Sequence, residues 1–123
     1  MLKMSLGNKS GRDVVNVEYE RSGCKQFFKK HRDDERAIKS RIEAALATQM
    51  ETGMSKVKRA VSSRVGGRCV YEFRVNLGRT GSARVAFCVD GESATVLFIS
   101  QTLQKDEFTR LLEHDLKEAG LCD

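Results

Sequence analysis

Proline and tryptophan are missing from this sequence altogether, and neither absence bears on function. What the four cysteines fail to form is more informative. Cys24, Cys69, Cys88 and Cys122 lie far apart with no C-x-x-C pair among them, so the spacing that holds a zinc ion or a redox dithiol is lacking. The chain has only two histidines, His31 and His114. Neither is placed near Cys69 or Cys88, so those thiols read as small hydrophobes and not as nucleophiles. Free thiols suit a reducing compartment, and a cytoplasmic location is expected. No N-terminal apolar core of a signal peptide occurs, and no apolar run approaches the roughly 18 residues of a membrane span; both argue against secretion and insertion.

What is present is positive charge and a β-rich centre. With 123 residues and 40% hydrophobic content, the chain is sized for one domain with its own core. Twenty-two Lys and Arg oppose 17 Asp and Glu, a net charge of +5 and a pI near 9.2. That balance favours a polyanionic partner, whether RNA, DNA or an acidic protein, without choosing among them.

Residues 1–12, MLKMSLGNKSGR, carry no hydrophobic period and read as a loose leader, leaving a single domain over 13–123. VVNVEY alternates and predicts a short strand over 14–19 that joins a later sheet. Ser22 and Gly23 read as its break. Cys24, Phe27 and Phe28 then share a helical face, and Asp33 or Asp34 is expected to cap a second helix carrying Ile38, Ile42, Ala45 and Leu46 until Gly53 ends it. Residues 54–67 read as a basic connector with Lys56, Lys58, Arg59 and Arg64 but few large apolar residues. A charge run of this kind is most often a solvated loop.

The centre runs from Arg68 to Gln101, where β-branched and aromatic residues alternate between clusters of Gly, Asp and Ser. Three antiparallel strands joined by two tight turns are predicted. Pairing Leu77 with Ala83 would set Tyr71 against Val89, Phe73 against Phe87 and Val75 against Val85. A slip by one residue would mix polar and apolar faces. On the other face this register makes Arg74 and Arg84 diagonal neighbours, about 7–8 Å apart. Arg74 has two readings, an ion pair with Glu72 or another acid, and a phosphate ligand. Arg84 interrupts an apolar central strand and so needs a partner, either a protein carboxylate or a bound anion. A last amphipathic helix from about Asp106 carries Phe108, Leu111, Leu112 and Leu116, and Gly120 closes it. The predicted class is α+β: an N-terminal strand, a helical hairpin, an antiparallel three-strand meander and a C-terminal helix, with the helices on one side of the sheet.

This order, with VYEFR at 70–74, ARVAF at 83–87, the D-G turn at 90–91 and VLFIS at 96–100, resembles the RelE/ParE superfamily of bacterial toxins, nearest its HigB-like branch. The resemblance spans roughly residues 14–119. It implies a toxin of a type II toxin-antitoxin system, neutralised by a cognate antitoxin protein. Most branches of that family cleave messenger RNA, commonly at the ribosome, without metal or other cofactor; the ParE branch poisons gyrase. By this resemblance Arg74 stands for the Arg of the family's "YELR" strand and Arg84 for that of "YRVLY". Lys105 is the nearest cation where the family is basic after its last strand, and these three are the implied catalytic residues. Lys56, Lys58, Arg59, Arg64, Arg68 and Arg79 are the implied RNA-binding set. Two departures stand out: Ser100 and Gln101 replace the family's basic pair, and Phe87 its tyrosine. Proton transfer would then fall to Lys56, Lys58, His114 or Tyr71, or cleavage would be lost and a degenerate RNA-binding module would remain.

Overall fold

The computed structural model describes residues 16–54 and 57–122. The expected leader, the start of the first strand at Val14 and Val15, and Lys56 lie outside them. Along the chain run β1 (Asn16–Tyr19), α1 (Arg21–Lys30), α2 (Glu35–Glu51), β2 (Lys58–Val65), β3 (Arg68–Asn76), β4 (Ser82–Asp90), β5 (Ser93–Ser100) and α3 (Lys105–Glu118). The strands form one sheet in the order β1-β5-β4-β3-β2, with β1 parallel to β5 and the other neighbours antiparallel. The protein is therefore α+β, with a mixed five-stranded sheet and three helices.

The expected three-strand meander is extended by β2, on residues read as a connector. KRAVSSRV has too few apolar residues to declare itself a strand. Its pairing with β3 is interrupted by two register shifts, between Arg59 and Val61 and between Val61 and Arg64, and such irregularities are frequent at sheet edges. Only Ala60 and Val61 of this strand are buried.

Helices cover both faces of the sheet, not one. Phe73 and Val75 of β3 with Ala83, Val85 and Phe87 of β4 pack against Cys24, Phe27 and Phe28 of α1 and Ile38, Ile42 and Leu46 of α2. On the opposite face Val70, Ala86, Cys88 and Leu97 meet Phe108, Leu112 and Leu116 of α3. β4 explains the difference: ARVAFCV has apolar residues at both parities, so burial of one face alone would leave Ala86 and Cys88 in water.

The β3–β4 register differs from the expected one by two residues. Tyr71 faces Phe87, Phe73 faces Val85 and Val75 faces Ala83. A shift of two leaves every side chain on its own face, so the burial pattern cannot tell the two registers apart. The turn decides. Gly78–Thr80 forms one 3-10 turn, Leu77 N–H donates to the Gly81 carbonyl (2.8 Å), and Asn76 Oδ1 accepts from Gly78 N–H (2.8 Å). Gly78 and Gly81 take φ values of 78° and 100°, where a side chain would be strained.

Gly23 lies inside α1 and is not a break. A Cβ there would sit 1.9 Å from the Leu97 carbonyl oxygen. Leu97 is the extra residue of β5, since Ala86 pairs with Phe98 and Phe87 with Val96. The bulge and the glycine together let helix backbone approach strand backbone, and the Cys24 thiol reaches the Val96 carbonyl at 3.4 Å. Asp34 occupies the position before α2 but makes no capping bond; its carboxylate turns instead to Arg79 in the β3–β4 turn.

Candidate functional site: a cationic sheet face

The two-residue difference in register brings Arg74 and Arg84 directly opposite each other, with Ser100 next to Arg84 on β5. Two pairs along, and so on the same face, Lys58, Glu72, Ala86 and Phe98 form the neighbouring row across β2 to β5. Residues directly opposite in a ladder point to the same side, so Lys58, Glu72, Arg74 and Arg84 share the face that α3 covers further along. Lys105, the first residue of α3, joins them through its ion pair to Glu72 (3.3 Å).

Glu72 is the organising group. It is 1% exposed, the one charged residue among the buried side chains described. Its Oε1 accepts from the Arg84 guanidinium and its Oε2 from Lys105. Arg84 Nε donates in addition to the Leu103 carbonyl at 2.9 Å. Of the two readings of Arg84, the carboxylate partner is the one found; Glu72 was expected beside Arg74. Arg74 is exposed and, among the described residues, has no hydrogen bond or ion pair. Two guanidinium groups facing each other across a ladder repel, and a single carboxylate offsets only part of the charge of Lys58, Arg74, Arg84 and Lys105. The face therefore keeps an excess of positive charge. Paired guanidiniums suit a phosphate, whose oxygens accept forked hydrogen bonds. Fixed cations also favour charge that grows on a reacting phosphoryl group.

The other expected contacts are dispersed. Arg59 faces Tyr71 on the opposite side of the sheet and folds onto its own strand, donating to the carbonyls of Val61 (3.1 Å) and Ser62 (2.9 Å). Arg64 donates to the Gly67 carbonyl in the β2–β3 turn at 3.3 Å. Arg68 stands at the far end of β3 from Arg74, about 20 Å along the strand by its rise, and pairs with Asp90 at 2.8 Å. Arg79 binds Asp34 at 2.7 Å, and its hydrogen bonds hold the Asp34 carboxyl below its ordinary range. Tyr71 belongs to the α1/α2 side of the sheet. His114 is exposed on α3, nine residues and about 13 Å of helical rise from Lys105. His31 ends α1 with its ring 4.6 Å from that of Phe27, and its Nε2 is buried without a hydrogen-bond partner.

Ser100 and Gln101, which stand where the resemblance expects cations, fasten the chain leaving β5. Ser100 Oγ accepts from Thr102 N–H (3.0 Å), and Gln101 Nε2 donates to the Thr80 carbonyl (2.7 Å). Glu72 is the site residue whose role sequence reasoning missed. The available signal was a lone acid on a strand whose neighbour, β4, is apolar at both parities. Among the described residues no cluster of three or more His, Cys, Asp or Glu could hold a metal ion, and no helix is long and apolar enough to cross a membrane.

Fold and face together describe an α+β protein with an open, cation-rich patch at one end of its sheet. No family model matches the chain, and no curated protein and no solved structure matches it either.

Proposed function

We propose that this chain is a RelE-like toxin of a type II toxin-antitoxin system that grips messenger RNA by its phosphates and cleaves it without a metal. One observation carries the reading: Lys58, Arg74, Arg84 and Lys105 come from four separate elements, yet they converge around one buried carboxylate on one face. Arg74 is the cation available to bind a phosphate outright. Arg84, anchored by Glu72 and Leu103, is positioned to meet the charge that develops as the phosphodiester is attacked. Lys58 and Lys105 are the groups at hand for proton transfer. The element order, from first strand through helical hairpin and antiparallel strands to a terminal helix, supports the RelE-like reading, and the reading carries with it a cognate antitoxin as partner.

Arg74→Ala is the cleanest test, because the side chain is exposed and unpaired among the described residues and its loss leaves the core intact. Induction of the wild-type chain should arrest growth and fragment transcripts. The variant should slow cleavage of dilute RNA about tenfold or more, as loss of a hydrogen bond to a charged group does. Intact transcripts and normal growth on induction of soluble protein would sink the proposal, and arrest with inhibited supercoiling would transfer it to gyrase.

A second reading, RNA binding without cleavage, is favoured by Glu72. It already engages two of the four cations, and the tyrosine and histidine considered for proton transfer lie elsewhere. Its signature is retained, salt-sensitive binding of an RNA oligonucleotide that stays whole.

A further inference from the structure

The two rows that carry the cations end on β5, at Phe98 and Ser100. Both residues also line a cleft of about 560 Å³ between α1, the end of β5 and α3, a size in the range of small-ligand sites. The cleft exists because β1 is short. It pairs with β5 only as far as Val96, and beyond that point α1 runs beside the strand, as the close approach of Gly23 to Leu97 shows.

Its walls differ in character from the cationic face. Ser22, Gln26 and Lys30 recur every fourth residue and so form one row along α1, at about 6 Å per step. Across from them stands Asp115 of α3, the one acid among the lining residues described. Ser22 donates to Asp115 Oδ2 at 3.4 Å, and Oδ1 has no partner among the described residues. Gln26 and Lys30 are exposed, and among the described residues their side chains make no hydrogen bond or ion pair. Phe98 is half-buried and rests against Phe108, with ring centroids 5.6 Å apart.

This set suits a nucleobase better than a phosphate or an apolar chain. An aromatic side chain receives the flat face of a base, and an amide such as that of Gln26 matches neighbouring donor and acceptor atoms on a base edge. A carboxylate accepts from an exocyclic amino group and repels a ring carbonyl. Arg74 lies two strands from Ser100, about 10 Å, close enough for a phosphate there and a base in the cleft to belong to adjoining nucleotides.

We propose that the cleft takes one unstacked base of single-stranded RNA, a base with an exocyclic amino group, such as cytosine, in preference to uracil. The base stacks on Phe98, Gln26 meets its edge, and the Asp115 carboxylate accepts from its amino group. The assignment rests on the RNA-gripping reading of the neighbouring face and adds selection by base to it; binding tests it without cleavage.

The probes are fluorescent chains of about eight nucleotides: oligocytidylate, oligouridylate and an abasic chain, the first two 2′-O-methylated so that they stay whole. Anisotropy on the full chain should show oligocytidylate bound about tenfold tighter than oligouridylate. Asp115→Asn, whose amide donates as well as accepts, should bring the two within about twofold of each other. Gln26→Ala changes only an exposed side chain and should weaken oligocytidylate about fivefold. Phe98→Leu, checked for folding by circular dichroism, should remove most of the advantage of both base-bearing chains over the abasic one. Arg74→Ala reads the phosphate face separately, since it should weaken all three chains alike. Equal binding of oligocytidylate and oligouridylate, or a preference that survives Asp115→Asn and Gln26→Ala, overturns the base site and leaves the phosphate face standing. Unchanged binding of every chain by Arg74→Ala, with the preference lost in Asp115→Asn, upholds the base site and overturns the phosphate face. Failure of all three chains to bind overturns both.

Discussion

Replacing Glu72 by glutamine tests the arrangement on which the cationic face depends. The substitution keeps size and shape but removes the charge that Arg84 and Lys105 share. Removing one partner of a fully buried pair costs about 3–5 kcal/mol. Here the partners are less enclosed, with the Arg84 side chain 21% and the Lys105 side chain 47% exposed. Lys105 can swing into water, and Arg84 keeps its bond to Leu103, so the expected loss falls to about 2 kcal/mol. For a chain of this length, unfolding entropy near 2.1 cal/mol/K per residue makes each kcal/mol worth about 4 °C, and the melting point should drop by about 8 °C. Calorimetry and urea titration both read it. Adding Arg84→Met should recover part of the loss, because it removes the guanidinium left without its carboxylate. The single variant should also bind RNA more tightly and with a steeper salt dependence, since it has lost a negative charge beneath the phosphate site. A Glu72→Gln protein within about 0.5 kcal/mol of wild type, or a double variant less stable than the single one, would refute the claim that this carboxylate anchors Arg84.

The remaining predictions concern the packing of α1 and its surroundings. Gly23→Ala should destabilise by about 2 kcal/mol or more despite alanine's better helix propensity, because the added methyl meets the Leu97 carbonyl oxygen at 1.9 Å; a urea midpoint at or above wild type would contradict the close approach. Cys24 is 1% exposed and burial pushes its thiol up to about 12, while Cys88 is 7% exposed. A thiol reagent at neutral pH should therefore modify only Cys69 and Cys122 until the protein unfolds, and rapid reaction of Cys24 would count against the fold. Burial raises the Asp115 carboxyl above its ordinary range, with Ser22 opposing the shift. A carboxyl raised in the folded state costs stability above its folded pKa, and the cost disappears as pH falls through that value. Asp115→Asn should thus be the more stable protein at neutral pH and should converge with wild type in acid; a stability gap that widens on acidification would reverse the sign.

The sheet's centre was readable because alternation is strong there: Phe73, Val75, Val85 and Phe87 belong on one face in any register that buries them. Their pairing was not readable to better than two residues, since period-two burial repeats at that step and the turn conformation of Gly78 and Gly81 breaks the tie. The apolar stripes of α2 and α3 were likewise plain. β2 was hidden because its strand character comes from β3 and not from its own composition, and the cover on both faces was hidden because small residues, Ala86 and Cys88, marked the second one. Gly23 read as punctuation when its role is contact with a bulge that no local pattern announces. For the site, Arg74, Arg84, Lys58 and Lys105 could be named, but Arg68 and Arg79 could not be separated from them. Spacing along the chain does not reveal which end of the sheet a residue occupies, or which acid stands beside it.

The edge position of β1 carries a consequence for how the protein is made. Its sheet neighbour among the described strands is β5, and the two are joined through Asn16 with Ser93 and Tyr19 with Val96, so β1 lacks that partner until β5 has been synthesised. At ordinary translation speeds of about 5–20 residues per second, that wait lasts about 4–15 s. The described sheet is complete only once Ser93–Ser100 has left the exit tunnel, and α3, which follows it in the chain, then brings Lys105 to Glu72 and completes the cationic face.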